Sequence, residues 1–180
     1  AIDVNKAQKY ISIFGGKLTD CINVGNEVAE LVEKFGITLR TSRMAWYGES
    51  TDRTKQQFFE QARAIKLDAM TWENSAEPLS ERFWRRYGAN AMELLDAIKL
   101  DASQAELLIE SAEYTHCEIE YAAKYEMITK LEDFLRRRSK ISLVVRQADL
   151  LDGKGLKEAC EILFGSEAEE KLQEYINSVG

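Results

Sequence analysis

Pro78 is the single proline of this 180-residue chain, and on both sides of it apolar residues repeat at helical spacing over long stretches. Because proline is tolerated at the first turn of a helix and not in its interior, Pro78 predicts the start of a helix that ends near Tyr87 and Gly88. The other apolar stripes predict helices at about 19–35, 52–69, 90–100, 114–128 and 156–164. We therefore predict an all-α fold, a multi-helix bundle.

Three pairs of residues have the spacing of a capping box. In this motif a Ser or Thr side chain and a Glu three residues later satisfy the exposed amides of a helix start. We expect a helix to begin at each pair. The pairs are Ser103 with Glu106, Thr129 with Glu132, and Ser166 with Glu169.

The first residues depart from the helical pattern. Tyr10-Ile-Ser-Ile13 combines aromatic and β-branched residues, which is typical of a buried strand, and a double glycine and a helix follow it. The helix is expected to end at Gly36. In an otherwise helical chain this strand has no sheet to join, so we interpret the chain as the C-terminal piece of a larger protein.

The double-glycine turn has the features of a binding site for a polar ligand. Gly15 and Gly16 lack a Cβ, so their backbone amides can approach a ligand closely. Lys17 adds a cation, and Thr19 or Asp20 can cap a helix whose N-terminus attracts anions. A plain strand-to-helix turn with an exposed lysine is the alternative.

Phe14-Gly-Gly-Lys-Leu-Thr19 resembles the last cofactor-contacting motif of FAD-dependent glycerol-3-phosphate dehydrogenases. Two segments downstream, 85–90 and 118–140, are similar to the C-terminal helical domain of that family and occur in the same order. The family usually has a second Thr, an aromatic residue and an Arg after this motif. The chain departs from that pattern at Asp20, Cys21 and Asn23.

The resemblance implies a division of the chain and an activity for the intact enzyme. Residues 1–36 would be the end of an FAD-binding domain, 37–51 a connector and 52–180 the helical C-terminal domain. The intact enzyme would oxidise sn-glycerol 3-phosphate to dihydroxyacetone phosphate by hydride transfer to FAD, and the electrons would pass to quinone or oxygen. This fragment alone is expected to bind no FAD and to be inactive. A cytoplasmic location, with peripheral contact to the cytoplasmic membrane, is also implied, and so is contact with the rest of the flavin domain.

The resemblance also implies roles for single residues. The cofactor-binding residues would be Gly15, Gly16, Lys17, Leu18 and Thr19, beside the isoalloxazine ring, and Lys17 would be catalytic and face the substrate pocket. A cation near the flavin pyrimidine stabilises the negative charge that appears on reduction. A lysine can equally bind a phosphate or the substrate hydroxyl as a point charge.

Composition narrows the remaining possibilities. A formal net charge of −7 argues against a nucleic-acid surface, and no apolar run approaches the ~20 residues of a membrane span. Cys21, Cys117 and Cys160 are widely separated, which fits free thiols in a reducing compartment and argues against a zinc site. A non-catalytic helical interaction module is the alternative function.

Charged residues in the helical part favour structural roles. The basic run 136–140 could bind anionic lipid or phosphate, but Glu132 and Asp133 lie at salt-bridge spacing and favour pairing. We expect Arg137 or Arg138 to anchor a buried carboxylate. Its candidate partners are Glu118 and Glu126.

Two further groups are expected to have structural roles and no catalytic one. Arg82, Arg85 and Arg86, which surround Trp84, are expected to pack and to form a solvated face. His116 is the lone histidine, and its neighbour Cys117 points elsewhere on a helix, so we expect no catalytic Cys–His pair.

Overall fold

A computed structural model describes residues 2–15, 18–39 and 50–179. The chain divides into two compact units, Ala1–Met44 and Ala45–Gly180. The predicted boundaries at 36 and 52 stay predictions. Most of the predicted connector, with Trp46 and Tyr47, lies outside the described residues.

The first unit begins with an antiparallel hairpin of β1, Ile2–Asn5, and β2, Tyr10–Ile13. Ile2 pairs with Ile13, and Asn5 pairs with Tyr10. The prediction that the strand has no sheet to join is therefore wrong, because a four-residue strand precedes it and is too short to show a clear alternation. The strand is also not buried, since the side chains of Tyr10 and Ile13 are exposed.

Helix α1, Cys21–Lys34, follows the hairpin and a 3-10 turn, Leu18–Asp20. Gly36 has a φ of +83° and lies directly after Phe35, the residue that closes the helix, as the sequence predicts. The apolar stripe of α1 is at most half-buried, and none of its residues reaches the buried class.

The second unit is mostly helical, which confirms the predicted fold class. Helix α3 starts directly after Pro78 and ends at Gly88, whose φ is +54°. No helix among residues 2–15, 18–39 and 50–179 is long and apolar enough to cross a membrane. The helices are α2 (Asp52–Ala64), α3 (Leu79–Tyr87), α4 (Ala91–Leu100), α5 (His116–Tyr125), a π-helix (Asp133–Arg138), α6 (Ile141–Val144), α7 (Gln147–Leu151), α8 (Lys154–Phe164) and α9 (Ala168–Val179).

A second small sheet interrupts the helices. Strand β3, Leu107–Ile109, pairs antiparallel with β4, Tyr114–Thr115. Glu113 makes the return turn with a φ of +52°, a conformation that a non-glycine residue rarely adopts. The predicted all-α fold contains no sheet here, because strands of three and two residues are too short to show a periodicity in the sequence.

Two hydrophobic cores fill the helical unit, and α5 belongs to both. Its Cys117 and Tyr121 pack in the first core, and its Ile119 and Ala122 pack in the second. Large side chains of the first core are Phe58, Leu67, Leu79, Phe83, Leu94 and Leu95. Those of the second core are Leu108, Leu131, Phe134, Leu135, Ile141 and Leu156.

The residues of the three predicted capping boxes lie in 3-10 turns or form other hydrogen bonds. Ser103 lies inside a 3-10 turn, where its amide donates to the Asp101 carboxylate at 3.0 Å, so this box is wrong. Ser166 likewise lies inside the 3-10 turn Gly165–Glu167 before α9. At Thr129 the reciprocal carboxylate belongs to Asp133 instead of Glu132.

Candidate functional site

The predicted cofactor-contacting turn is described in part. Gly15 has a φ of +71°, and no described atom lies within 4 Å of a Cβ built there. Glycine is therefore favoured at this position by backbone conformation and not by crowding. Gly16 and Lys17 lie outside the described residues, so their predicted roles are untested. Leu18 and Thr19 form the 3-10 turn, with the Thr19 side chain exposed.

The N-terminus of α1 has no side-chain cap. Asp20 takes the cap position, but its carboxylate accepts a hydrogen bond from the Asn23 side-chain amide at 2.7 Å and none from a backbone amide. Asp20 is therefore at the predicted cap position, but the predicted capping hydrogen bond is wrong. The 3-10 turn Leu18–Asp20 leads directly into α1, and this helix start carries the partial positive charge of a helix N-terminus. This charge is suited to an anion or an electron-rich ligand atom.

Exposed apolar side chains surround the same turn. Ile13 and Phe14 precede it, and Ile22 follows it on α1, and all three are exposed. Exposed apolar side chains on both sides of a turn fit a surface that another protein segment covers.

A buried network of ion pairs lies in the helical unit, at arginines for which the sequence predicts a solvated face. Arg82 is 3% exposed and pairs with Glu113, which also accepts from the Ser75 hydroxyl at 2.5 Å. Arg86 donates from Nη1 to Glu118 Oε1 at 2.7 Å. The expectation of a solvated face is thus wrong for Arg82 and Arg86, and it fits only the exposed Arg85.

Arg86 also fixes the loop before α5. Its Nη1 and Nη2 donate to the carbonyls of Glu113 and Ala112 at 2.9 and 3.1 Å, and its guanidinium carbon lies 4.1 Å from the centre of the Tyr114 ring. Burial opposes the charge of Arg86, but the field and hydrogen bond of Glu118 and the fields of Tyr114 and Tyr87 together outweigh burial and raise the pKa of Arg86. The guanidinium therefore stays charged and holds the loop against α3.

Glu118 is fully buried and accepts three hydrogen bonds. Besides Arg86, the amide and hydroxyl of Thr115 donate to its Oε2 at 2.9 and 3.1 Å. Thr115-His-Cys-Glu118 has the spacing of a capping box, and this signal could have located the true start of α5. Arg82 and Arg86 are four residues apart, so helical spacing could have placed them on one face.

The basic run pairs differently from the expectation. Arg137 pairs with Asp133, as its spacing predicts, and approaches Glu132 at 4.0 Å. Arg138 Nε donates to the backbone carbonyl of Glu126 at 3.1 Å, so the expected anchoring of a buried carboxylate by Arg137 or Arg138 is wrong.

Neither of the buried thiols has the character of a nucleophile. Burial raises the pKa of Cys117 and of Cys160 to about 12. His116 Nε2 lies 3.9 Å from a carboxylate oxygen of Glu158, and Cys117 Sγ lies 3.2 Å from Thr115 Oγ1. Among residues 2–15, 18–39 and 50–179, no three His, Cys, Asp or Glu side chains are grouped so that they could hold a metal ion.

In chain order, a strand, a glycine turn and a helix precede a mostly α-helical unit, which is the arrangement that the resemblance to flavin-dependent dehydrogenases implies. The family model described as the C-terminal domain of alpha-glycerophosphate oxidase matches residues 9–153. The chain belongs to this family, and thereby to a family of flavin-dependent oxidoreductases. The match includes the glycine turn and the arginine network and ends before α8. No curated protein and no solved structure matches the chain.

Proposed function

We propose that this chain is the C-terminal part of a flavoenzyme that oxidises sn-glycerol 3-phosphate to dihydroxyacetone phosphate. The observation that carries the proposal is the family match, which spans both the glycine turn and the helical domain in one continuous segment, residues 9–153. FAD would supply the hydride acceptor, and quinone or oxygen would take the electrons.

The turn would form one edge of the flavin site. Gly15 has a left-handed backbone, and the helix start that follows the turn carries a partial positive charge. Both features are suited to contact with the flavin ring. Gly16, Leu18 and Thr19 would contact the cofactor through their backbone. Lys17 would hold a positive charge where negative charge develops on reduction.

The exposed apolar side chains of the first unit support a covering partner. Ile13, Phe14 and Ile22 would pack against the rest of the flavin domain, which would remove them from water. Asp20 and Asn23 bond to each other, so in this chain they would shape the helix start and leave cofactor contact to the turn.

The experiment compares this chain with a longer one from the source gene that includes the residues upstream of Ala1. The longer protein is expected to carry stoichiometric oxidised flavin and to reduce a quinone analogue or oxygen with glycerol 3-phosphate. This chain alone is expected to be colourless and inactive. A longer protein without flavin and without turnover would favour the non-catalytic helical interaction module.

A further inference from the structure

Asp20 places a carboxylate at the junction between the glycine turn and α1. It ends the 3-10 turn Leu18–Asp20 and directly precedes Cys21, the first residue of α1. Its side chain is exposed, and among the residues that the structure describes it accepts a hydrogen bond from Asn23 alone. It is also one of the positions at which the chain departs from the family pattern. That pattern therefore assigns no role to this carboxylate.

The hydrogen bond between Asp20 and Asn23 fixes the carboxylate and leaves its charge intact. Asn23 Nδ2, in the first turn of α1, donates to Asp20 Oδ1 at 2.7 Å. An amide is uncharged, so this bond positions the carboxylate, whereas a lysine or arginine partner would also neutralise it. No Lys or Arg within the described ranges 2–15, 18–39 and 50–179 forms an ion pair with Asp20. The helix start therefore carries an uncompensated negative charge in this part of the chain.

A capping role does not account for this carboxylate. A cap residue accepts a hydrogen bond from a backbone amide in the first turn of its helix. Asp20 occupies the cap position, but its side chain accepts from no backbone amide. Its charge instead offsets the partial positive charge of the helix start. An anionic group beside the turn is therefore attracted less strongly than the helix start alone would attract it.

We propose that Asp20 lowers the reduction potential of the bound flavin, and that Asn23 positions it for this role. The inference rests on the proposed function, in which the turn that ends at Thr19 lies beside the flavin ring. Oxidation of the substrate alcohol sends a hydride, two electrons and one proton, to FAD and the hydroxyl proton to water, so the flavin gains one negative charge. A fixed carboxylate near the ring opposes that charge by Coulomb repulsion without touching the ring. The reduced flavin is thereby a stronger reductant toward quinone or oxygen.

The test is an anaerobic equilibrium titration of the longer, flavin-containing protein against a dye of known potential. Asp20→Asn removes the charge and keeps a side-chain oxygen that can accept from Asn23. We expect this variant to shift the equilibrium about 10-fold toward reduced flavin, which is a rise of about 30 mV in the midpoint potential of a two-electron couple. Because Asp20 is exposed, the difference should shrink with added salt.

Two variants serve as matched controls. Asp20→Glu keeps the charge at the helix start and should keep the potential of the unaltered protein. Glu27 is exposed on α1, about 10 Å farther along the helix axis at ~1.5 Å per residue. Glu27→Gln makes the same change of net charge and should leave the potential unchanged. All altered side chains are exposed, so the thermal unfolding midpoints should match, and this is measured for each variant.

The outcomes separate this inference from the proposed function. Equal potentials in the unaltered and Asp20→Asn proteins would overturn the role of Asp20 and leave the proposed function standing. An equal rise in Glu27→Gln would also overturn that role, because the potential would then follow the net charge of the protein. A longer protein without flavin would overturn the proposed function and this inference with it.

Discussion

The guanidinium of Arg86 on α3 lies 2.7 Å from the fully buried carboxylate of Glu118 on α5. Helix α3 packs in the first core, and α5 belongs to both cores. The pair therefore links α3, which begins after Pro78, to α5, which packs in both cores.

Removal of Glu118 should destabilise the helical unit strongly. Glu118→Ala leaves Arg86 charged and half-buried and leaves the Thr115 amide without its acceptor, so the free energy of unfolding should fall by about 3 kcal/mol. Urea unfolding followed by circular dichroism measures the change. As a control, Arg85→Ala breaks the exposed pair with Glu77 and should cost under about 1 kcal/mol. Equal losses for the two variants would contradict the structural role of the buried pair.

Asp133 should make the stability depend on pH in acid. Burial alone would raise the pKa of Asp133, but hydrogen bonds from Lys130 and Thr129 and the contact with Arg137 outweigh it and lower the pKa to about 2. Because the folded value lies below the unfolded one of about 3.9, this stabilisation is complete above pH ~4 and is lost as the pH falls towards ~2. Urea unfolding over this range should show a steeper loss for the unaltered protein than for Asp133→Asn. A loss of the same slope in both proteins would show that Asp133 does not cause it.

The three cysteines should differ in reactivity in the native state. Cys21 is exposed, whereas Cys117 and Cys160 are buried and their raised pKa values keep them as neutral thiols at pH 7. Brief treatment with iodoacetamide should therefore alkylate Cys21 alone, and all three should react in urea. Mass spectrometry of peptides locates the label, and native labelling of Cys117 would show that α5 opens readily.

Lys17 should matter for catalysis in the longer, flavin-containing protein. Lys17→Ala is expected to lower kcat/KM by roughly 10²-fold, on the scale of losing one electrostatic donor to developing charge. Lys17→Arg should not restore full activity, because a planar guanidinium differs in reach from a compact ammonium. Lys6→Ala, at an exposed lysine of the hairpin turn, is the matched control and should leave turnover with glycerol 3-phosphate unchanged. Near-normal turnover of the Lys17→Ala protein would show that Lys17 is not catalytic and that the turn has only a structural role.

The sequence predicts features that depend on neighbouring residues. Pro78 marks the start of α3, and Gly36 and Gly88 mark helix ends, because one residue type decides the backbone at each. The box at Ser103 fails because Asp101, two residues earlier, competes for the same amide.

Features that depend on residues far apart in the sequence cannot be predicted from local patterns. The burial of Arg82 and Arg86 depends on Glu113 and Glu118, about 30 residues later, and no local pattern on α3 reveals those partners. For the candidate site, the need for glycine at residue 15 follows from a strand-to-helix turn. The uncapped start of α1 does not follow, because the sequence does not show that Asp20 bonds to Asn23.

The core contacts of α5 determine where the chain can be truncated. Leu156, Ala159 and Cys160 of α8 pack in the same core as Ile119 of α5, although the family match ends at residue 153. A protein truncated at the end of the match would lose these side chains and leave one side of α5 in water. We therefore expect a protein that ends at residue 153 to aggregate, and we expect a soluble domain to require α8 as well.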